Sequence, residues 1–155
     1  MLHVVKDVRG DTMLVKLTGS IEENVDFAAL IGNPTAAKMD LILKEIPRIN
    51  SVGVKAWIKY FQAVASKGIQ LKFLECSTAI VEQINLISNF TCGGQVESIN
   101  VPFCCQSCNT ELLGLFRTAD LKKINFEIPD LKCPKCSGTA SFDDIPEEYF
   151  GFLNR

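Results

Sequence analysis

The chain has 155 residues, 47% of them hydrophobic, and its 16 basic and 18 acidic side chains leave a formal charge of −2 at pH 7. That apolar content is enough for an ordinary buried core, which excludes disorder of the whole, and the length suits one domain or one domain with a small module. Residues 1–100 carry 10 basic and 10 acidic side chains, so charge offers no phosphate-binding stripe and no invitation to nucleic acid.

No long apolar h-region opens the sequence, and no apolar run approaches the ~18 residues that a spanning helix requires. The expectation is a soluble, cytoplasmic protein without a membrane span. In that setting seven cysteines argue for reduced thiols engaged in metal binding or redox work rather than a disulfide frame.

In chain order, Val4-Val5 and then Met13, Val15 and Leu17, alternating with Leu14 and Lys16, predict two strands. Arg9-Gly10-Asp11 supplies turn chemistry between them, within residues 7–11, and makes a hairpin. Residues 24–30 suit a short helix that Gly32-Asn33-Pro34 breaks. A strand begins near Lys38, and its run Leu41-Ile42-Leu43 reads as buried.

Residues 40–67 hold the most telling stretch, a strand, a polar turn at Arg48-Ile49-Asn50-Ser51-Val52-Gly53, and a long helix. Val54, Trp57, Ile58, Phe61, Val64 and Ala65 recur at spacings of three and four and form one inward stripe, with Lys55, Lys59, Gln62 and Ser66 elsewhere. Asn50 and Ser51 stand where an N-cap belongs, and Gly68 ends the segment. A hydroxyl beside the positive end of a helix tolerates added negative charge, so Ser51 is a candidate switch as well as a candidate cap. Lys55 and Lys59, with Ala56 and Tyr60, are the candidate partner-facing surface of this helix, whereas Trp57 and Phe61 read as core.

After Gly68, Ile69, Leu71 and Phe73 alternate with Gln70 and Lys72 as in a half-buried strand. Ser77 or Thr78 caps a third helix with Ile80, Val81, Ile84 and Ile87 inward, closed by Cys92-Gly93-Gly94. Strands alternating with helices predict a partly parallel sheet covered by helices.

The Asn50-Ser51-Val52-Gly53 turn opening a helix, with Leu17-Thr18-Gly19-Ser20-Ile21 at the end of the second strand, resembles the STAS domain, the fold of bacterial anti-sigma factor antagonists. The resemblance covers roughly the first hundred residues, about one domain. It implies a layered α/β sheet and a serine, here Ser51, phosphorylated by a partner serine kinase to control partner binding. The sequence departs from the phosphorylated members in carrying Asn50 in place of Asp and Val52 in place of a second serine.

Beyond Val101 the character changes. Cys105-Gln106-Ser107-Cys108 and Cys133-Pro134-Lys135-Cys136 bracket two strand-like runs, residues 112–117 and 124–128. Two such thiol pairs supply the four tetrahedral ligands that Zn²⁺ favours, and with all positions filled by protein the ion would be structural. The arrangement looks like a zinc ribbon built on a hairpin. Cys104 competes with Cys105 as ligand, the two-residue spacing favouring Cys105. Residues 101–140 carry five basic and four acidic side chains, and four thiolates add negative charge, which argues against a nucleic-acid role. In the tail, Asp143-Asp144-Ile145-Pro146-Glu147 reads as a helix start with an Asp144–Glu147 capping box, followed by Tyr149, Phe150, Phe152 and Leu153 to bury.

The expected fold is therefore α/β: a STAS-like mixed sheet (1–100), a zinc-ribbon module (101–140) and a short C-terminal helix (141–155). No Gly-rich phosphate loop, nucleophile elbow or paired-carboxylate signature occurs, and His3 has no visible acid or nucleophile partner, so the expectation is a non-enzymatic regulatory module. It would dock a protein partner, such as a serine kinase or anti-sigma-type regulator, through the turn at Asn50, Ser51 and Gly53 and the helix that follows. The rival readings are a nucleic-acid-binding ribbon, a thiol redox protein and an accessory STAS subunit of a transport system.

Overall fold

The computed structural model describes residues 2–154. Strands β1 (His3–Arg9) and β2 (Thr12–Thr18) form the expected hairpin. Its turn is confined to Gly10-Asp11, so residues 7–9 extend β1. Helix α1 is shorter than expected, Phe27–Leu30, because Asp26 takes the cap position and accepts a hydrogen bond from the Ala29 N–H. Strand β3 (Lys38–Glu45), helix α2 (Ser51–Ser66), strand β4 (Gln70–Leu74), helix α3 (Thr78–Leu86) and the two-residue β5 (Gln95–Val96) follow.

These strands lie side by side in sequence order as a mixed five-stranded sheet, β1 antiparallel to β2 and the rest parallel. Parallel crossovers are almost always right-handed, and strands added in one direction then carry every helix to the same face. The burial pattern agrees: Met13, Val15, Leu17, Met39, Leu41, Leu43, Leu71 and Phe73 are buried, while Leu14, Lys16, Asp40, Ile42, Lys72 and Leu74 on the opposite face are only half-buried. The run Leu41-Ile42-Leu43 is thus not buried throughout.

Trp57 of α2 organises this core. Its ring stacks on Phe90 at 4.9 Å between centroids, packs on Phe61 at 4.6 Å, and meets Phe27 and Phe73. Its indole N–H donates to the Phe90 carbonyl at 2.9 Å, so the polar atom of a fully buried ring is satisfied. Ser77, not Thr78, caps α3, and the helix ends at Leu86, well before Cys92-Gly93-Gly94.

The second sheet has the order β7-β6-β9-β8, from β6 (Ser98–Cys105), β7 (Glu111–Arg117), β8 (Leu131–Lys132) and β9 (Thr139–Phe142). Residues 100 and 101 both lie inside β6. Pro102 hides this strand in the sequence, since proline removes a ladder donor. Here the loss is confined to the end of the β9 pairing, where the Asp143 N–H still donates to the Pro102 carbonyl at 2.9 Å.

Residues 124–128 do not form a strand. Helix α4 (Thr118–Lys123) precedes them, with Leu121 buried and Lys122 and Lys123 in its last turn, where cations suit the helix dipole. Asn125 and Phe126 then adopt φ of 54° and 60°, which turns the chain too sharply for a ladder. The alternation of Ile124, Phe126 and Ile128 reflects half-burial of Phe126 and Ile128 at a turn, with Ile124 exposed.

The tail forms α5 (Pro146–Tyr149) and a 3₁₀ turn, Gly151–Asn154. No Asp144–Glu147 capping box forms: Ile145 sits at the cap position and Asp144 accepts only from the Ile145 N–H. Tertiary contacts anchor the tail instead. Phe150 is fully buried, stacking on Phe126 and Phe142; the Tyr149 hydroxyl donates to the Asn100 carbonyl; and Asn85 of α3 bonds the Tyr149 carbonyl and the Phe152 N–H.

Because the tail ties α3 to β6 and β9, Phe150→Ala is expected to cost about 3–5 kcal/mol, the range for emptying a buried aromatic site. In urea denaturation followed by the fluorescence of Trp57, which sits on the other sheet, the midpoint should fall with that loss. A Trp57 midpoint left at the wild-type value would mean that the two sheets unfold separately.

Candidate metal centre and the Ser51 turn

Each CxxC pair occupies the turn of a hairpin. Residues 105–110 connect β6 to β7, residues 133–138 connect β8 to β9, and antiparallel pairing of β6 with β9 sets the two turns side by side. The turns are built alike. In the first, the Cys105 N–H donates to the Thr110 carbonyl and the Asn109 N–H to the Cys105 carbonyl; in the second, Cys133 to Gly138 and Ser137 to Cys133. Asn109 and Ser137 occupy the same left-handed position, with φ of 58° and 64°. Gly138 brings the two turns close, since a Cβ there would lie 2.7 Å from the Ser107 hydroxyl of the opposite turn.

The four Sγ atoms of Cys105, Cys108, Cys133 and Cys136 all lie within 4.8 Å of one another. Cys105 and Cys136 approach to 3.5 Å and Cys108 and Cys133 to 3.7 Å, far beyond a disulfide bond of about 2.05 Å. Tetrahedral thiolates at ~2.3 Å from a zinc-sized ion stand about 3.8 Å apart, so the donors match such an ion in number and spacing. Cys104 points to the other face of β6 and is outside the cluster, which leaves Cys105 as the ligand candidate.

Electrostatics point the same way. The Thr110 hydroxyl, 3.0 Å from Cys108, draws that thiol down to about 6. The Cys108 and Ser107 N–H groups lower Cys105. The Gly138 N–H favours a thiolate at Cys136 too, yet the neighbouring sulfurs Cys105 and Cys108 override it and push Cys136 up to about 12. Four sulfurs this close cannot all ionise without a cation among them. Together they could hold a metal ion. Two further thiols, Cys76 and Cys92, lie buried in the core, and burial pushes Cys76 up to about 12.

At the other candidate site, Asn50 is the N-cap of α2: its Oδ1 accepts from the Gly53 N–H at 2.8 Å and its Nδ2 donates to Glu23 at 2.9 Å. Ser51 is the first helical residue. It is exposed, and its hydroxyl has no hydrogen-bond partner among the described residues, so it is not the cap. Gly53 lets the helix touch the loop after β2, where a Cβ would lie 2.3 Å from the Ile21 carbonyl oxygen. Ile21 and Ile49 form a parallel bridge that holds this loop under the turn. Glu23 escaped the sequence reading because it meets Asn50 across 27 positions with no local signal.

Lys55 and Lys59 are exposed on α2, as expected of a free face. Tyr60 is not part of that face: its hydroxyl donates to the Gly32 carbonyl at 2.8 Å, and burial pushes its phenol up to about 12. Among the described residues, no helix is long and apolar enough to cross a membrane.

No family model matches the sequence, and comparison with curated proteins finds no match.

The cluster predicts a clean separation of the cysteines. Metal analysis of the purified protein should find about one ion per chain; Cys108→Ser and Cys136→Ser should lose it, and Cys104→Ser should keep it. Loss of metal from Cys104→Ser with retention in Cys105→Ser would reverse the ligand assignment.

Proposed function

We propose that the chain is a non-enzymatic regulatory module of the STAS type that docks a protein partner through the Ser51 turn and the outer face of α2. The observation that carries this reading is the free, exposed hydroxyl of Ser51 at the N-terminus of α2, with the capping work done by Asn50. A serine needed only as a cap would be occupied. Exposed Val52, Lys55 and Lys59 extend the same face, and α2 contains no acidic residue, so the surface suits an acidic partner.

A phosphate on Ser51 would add about −2 charge beside the helix N-terminus and one turn from Lys55. Added charge there cancels that of Lys55 and Lys59 and removes the attraction for that acidic partner. In this reading a cytoplasmic serine kinase writes the switch. The four cysteines hold a structural Zn²⁺ in a zinc ribbon, consistent with soft thiolate donors and no position left open for substrate. The ion anchors the two knuckles and performs no chemistry.

Capture from the native cytoplasm with wild-type, Ser51→Ala and Ser51→Asp protein tests the switch. Wild-type and Ser51→Ala should retain the same partner and Ser51→Asp should lose it, with phosphate found on Ser51 of the native protein by mass spectrometry. Asp at the first helical position favours the helix dipole, so unfolding would not explain the loss. An unchanged partner set for Ser51→Asp, with no phosphate on Ser51, rules the switch out.

A further inference from the structure

Strand β7 is the long edge of the second sheet, and two of its outer side chains are apolar: Leu113 is 57% and Leu115 55% exposed. The other edges are blunted in the ways that keep edge strands from pairing. Strand β1 also exposes Val5 and Val8 but interleaves them with Lys6, Asp7 and Arg9, whereas β5 and β8 span two residues each, β8 just after Pro129. Strand β7 runs seven residues in unbroken register with β6 and has no proline, no bulge and no charge between its ends.

The ladder phase shows which backbone groups are free. The Thr118 N–H donates to the Glu97 carbonyl and the Cys105 N–H to the Thr110 carbonyl, so the hydrogen-bonded pairs between are Ile99–Phe116, Val101–Gly114 and Phe103–Leu112. Glu111, Leu113, Leu115 and Arg117 therefore turn their N–H and C=O groups outward. No backbone hydrogen bond to another segment occupies them among the described residues.

We propose that two copies of the chain pair through β7, antiparallel, about a two-fold axis at Gly114. This register places Glu111 opposite Arg117 of the second copy, Leu113 opposite Leu115, and Gly114 opposite itself. Every outward-facing residue then meets an outward-facing residue, so the free backbone groups of both edges are satisfied together. A one-residue slip would set outward groups against inward ones, and a two-residue slip would put Glu111 against Leu115. Each of these antiparallel registers is isologous, but only the one centred on Gly114 joins opposite charges at both ends of the strand. The leucines form one apolar patch across the axis, flanked by two Glu–Arg pairs, the cross-strand arrangement that stabilises antiparallel ladders. Arg117 also lies 3.7 Å from the half-buried Glu97 in its own chain, with its side chain 66% exposed, so the guanidinium remains accessible.

Sedimentation equilibrium on the full, metal-loaded chain tests the pairing. A mass of about twice 17.1 kDa that falls to the monomer value on dilution is expected. Leu115→Lys should shift the protein to monomer with unchanged circular dichroism and melting, because that side chain is exposed. Glu111→Arg should weaken the dimer at least tenfold at low salt, and the pair Glu111→Arg with Arg117→Glu should restore it. A wild-type monomer at every concentration overturns the proposal, including the case in which β7 takes a strand from a different protein. A dimer that survives both Leu115→Lys and Glu111→Arg in folded protein overturns it as well.

Discussion

Strand β6 belongs to two structures at once, and the rest of the molecule follows from that double membership. Its first residues lie in the main core, where Ile99 bridges Cys76 beside β4 and Ile99 and Val101 are fully buried. Its last residue, Cys105, is a thiol of the four-cysteine cluster. The ladder with β7 runs in register from Ser98 to Cys104, and β9 pairs with the other side of β6 from Phe103 to Cys105, which fixes the position of the cluster relative to the helical layer. The tail reinforces the joint: Tyr149 binds the Asn100 carbonyl of β6 while Asn85 of α3 holds the next turn.

The cluster is local chemistry positioned by non-local pairing. Each knuckle brings two sulfurs together through its own turn, with N–H groups directed at Cys105 and Cys136. Such bonds favour thiolate, but they cannot offset the repulsion among four, as the opposed shifts of Cys108 and Cys136 make plain. A cation held among the four sulfurs would relieve the conflict. Pairing of β6 with β9 is what makes two half-sites into one whole site.

The Ser51 turn divides its labour among three adjacent residues. Asn50 satisfies the helix terminus and reaches Glu23; Gly53 permits contact with Ile21; Ser51 is left over. A side chain free of structural duty at a helix N-terminus can change charge without unfolding its support, which is the physical condition for a switch. The aromatic packing around Trp57 keeps that helix fixed on the sheet beneath it.

Features that depend on short-range periodicity and spacing were legible in the chain before it folded. The three-and-four spacing of Val54, Trp57, Phe61 and Val64 fixed the long helix and its inward face, the alternation of Met13, Val15 and Leu17 fixed a strand, and each CxxC fixed a knuckle. Tertiary structure decided the rest. Placement of the helices on one face came from strand order, the choice of Asn50 over Ser51 as cap came with Glu23 from a distant loop, and Pro102 obscured a strand whose pairing tolerates it. Residues 124–128 had the period of a strand but no neighbour to pair with, and turned instead beneath Phe150. Periodicity depends on a residue's nearest neighbours along the chain, whereas pairing depends on which distant segment arrives beside it, and only the folded chain contains that information.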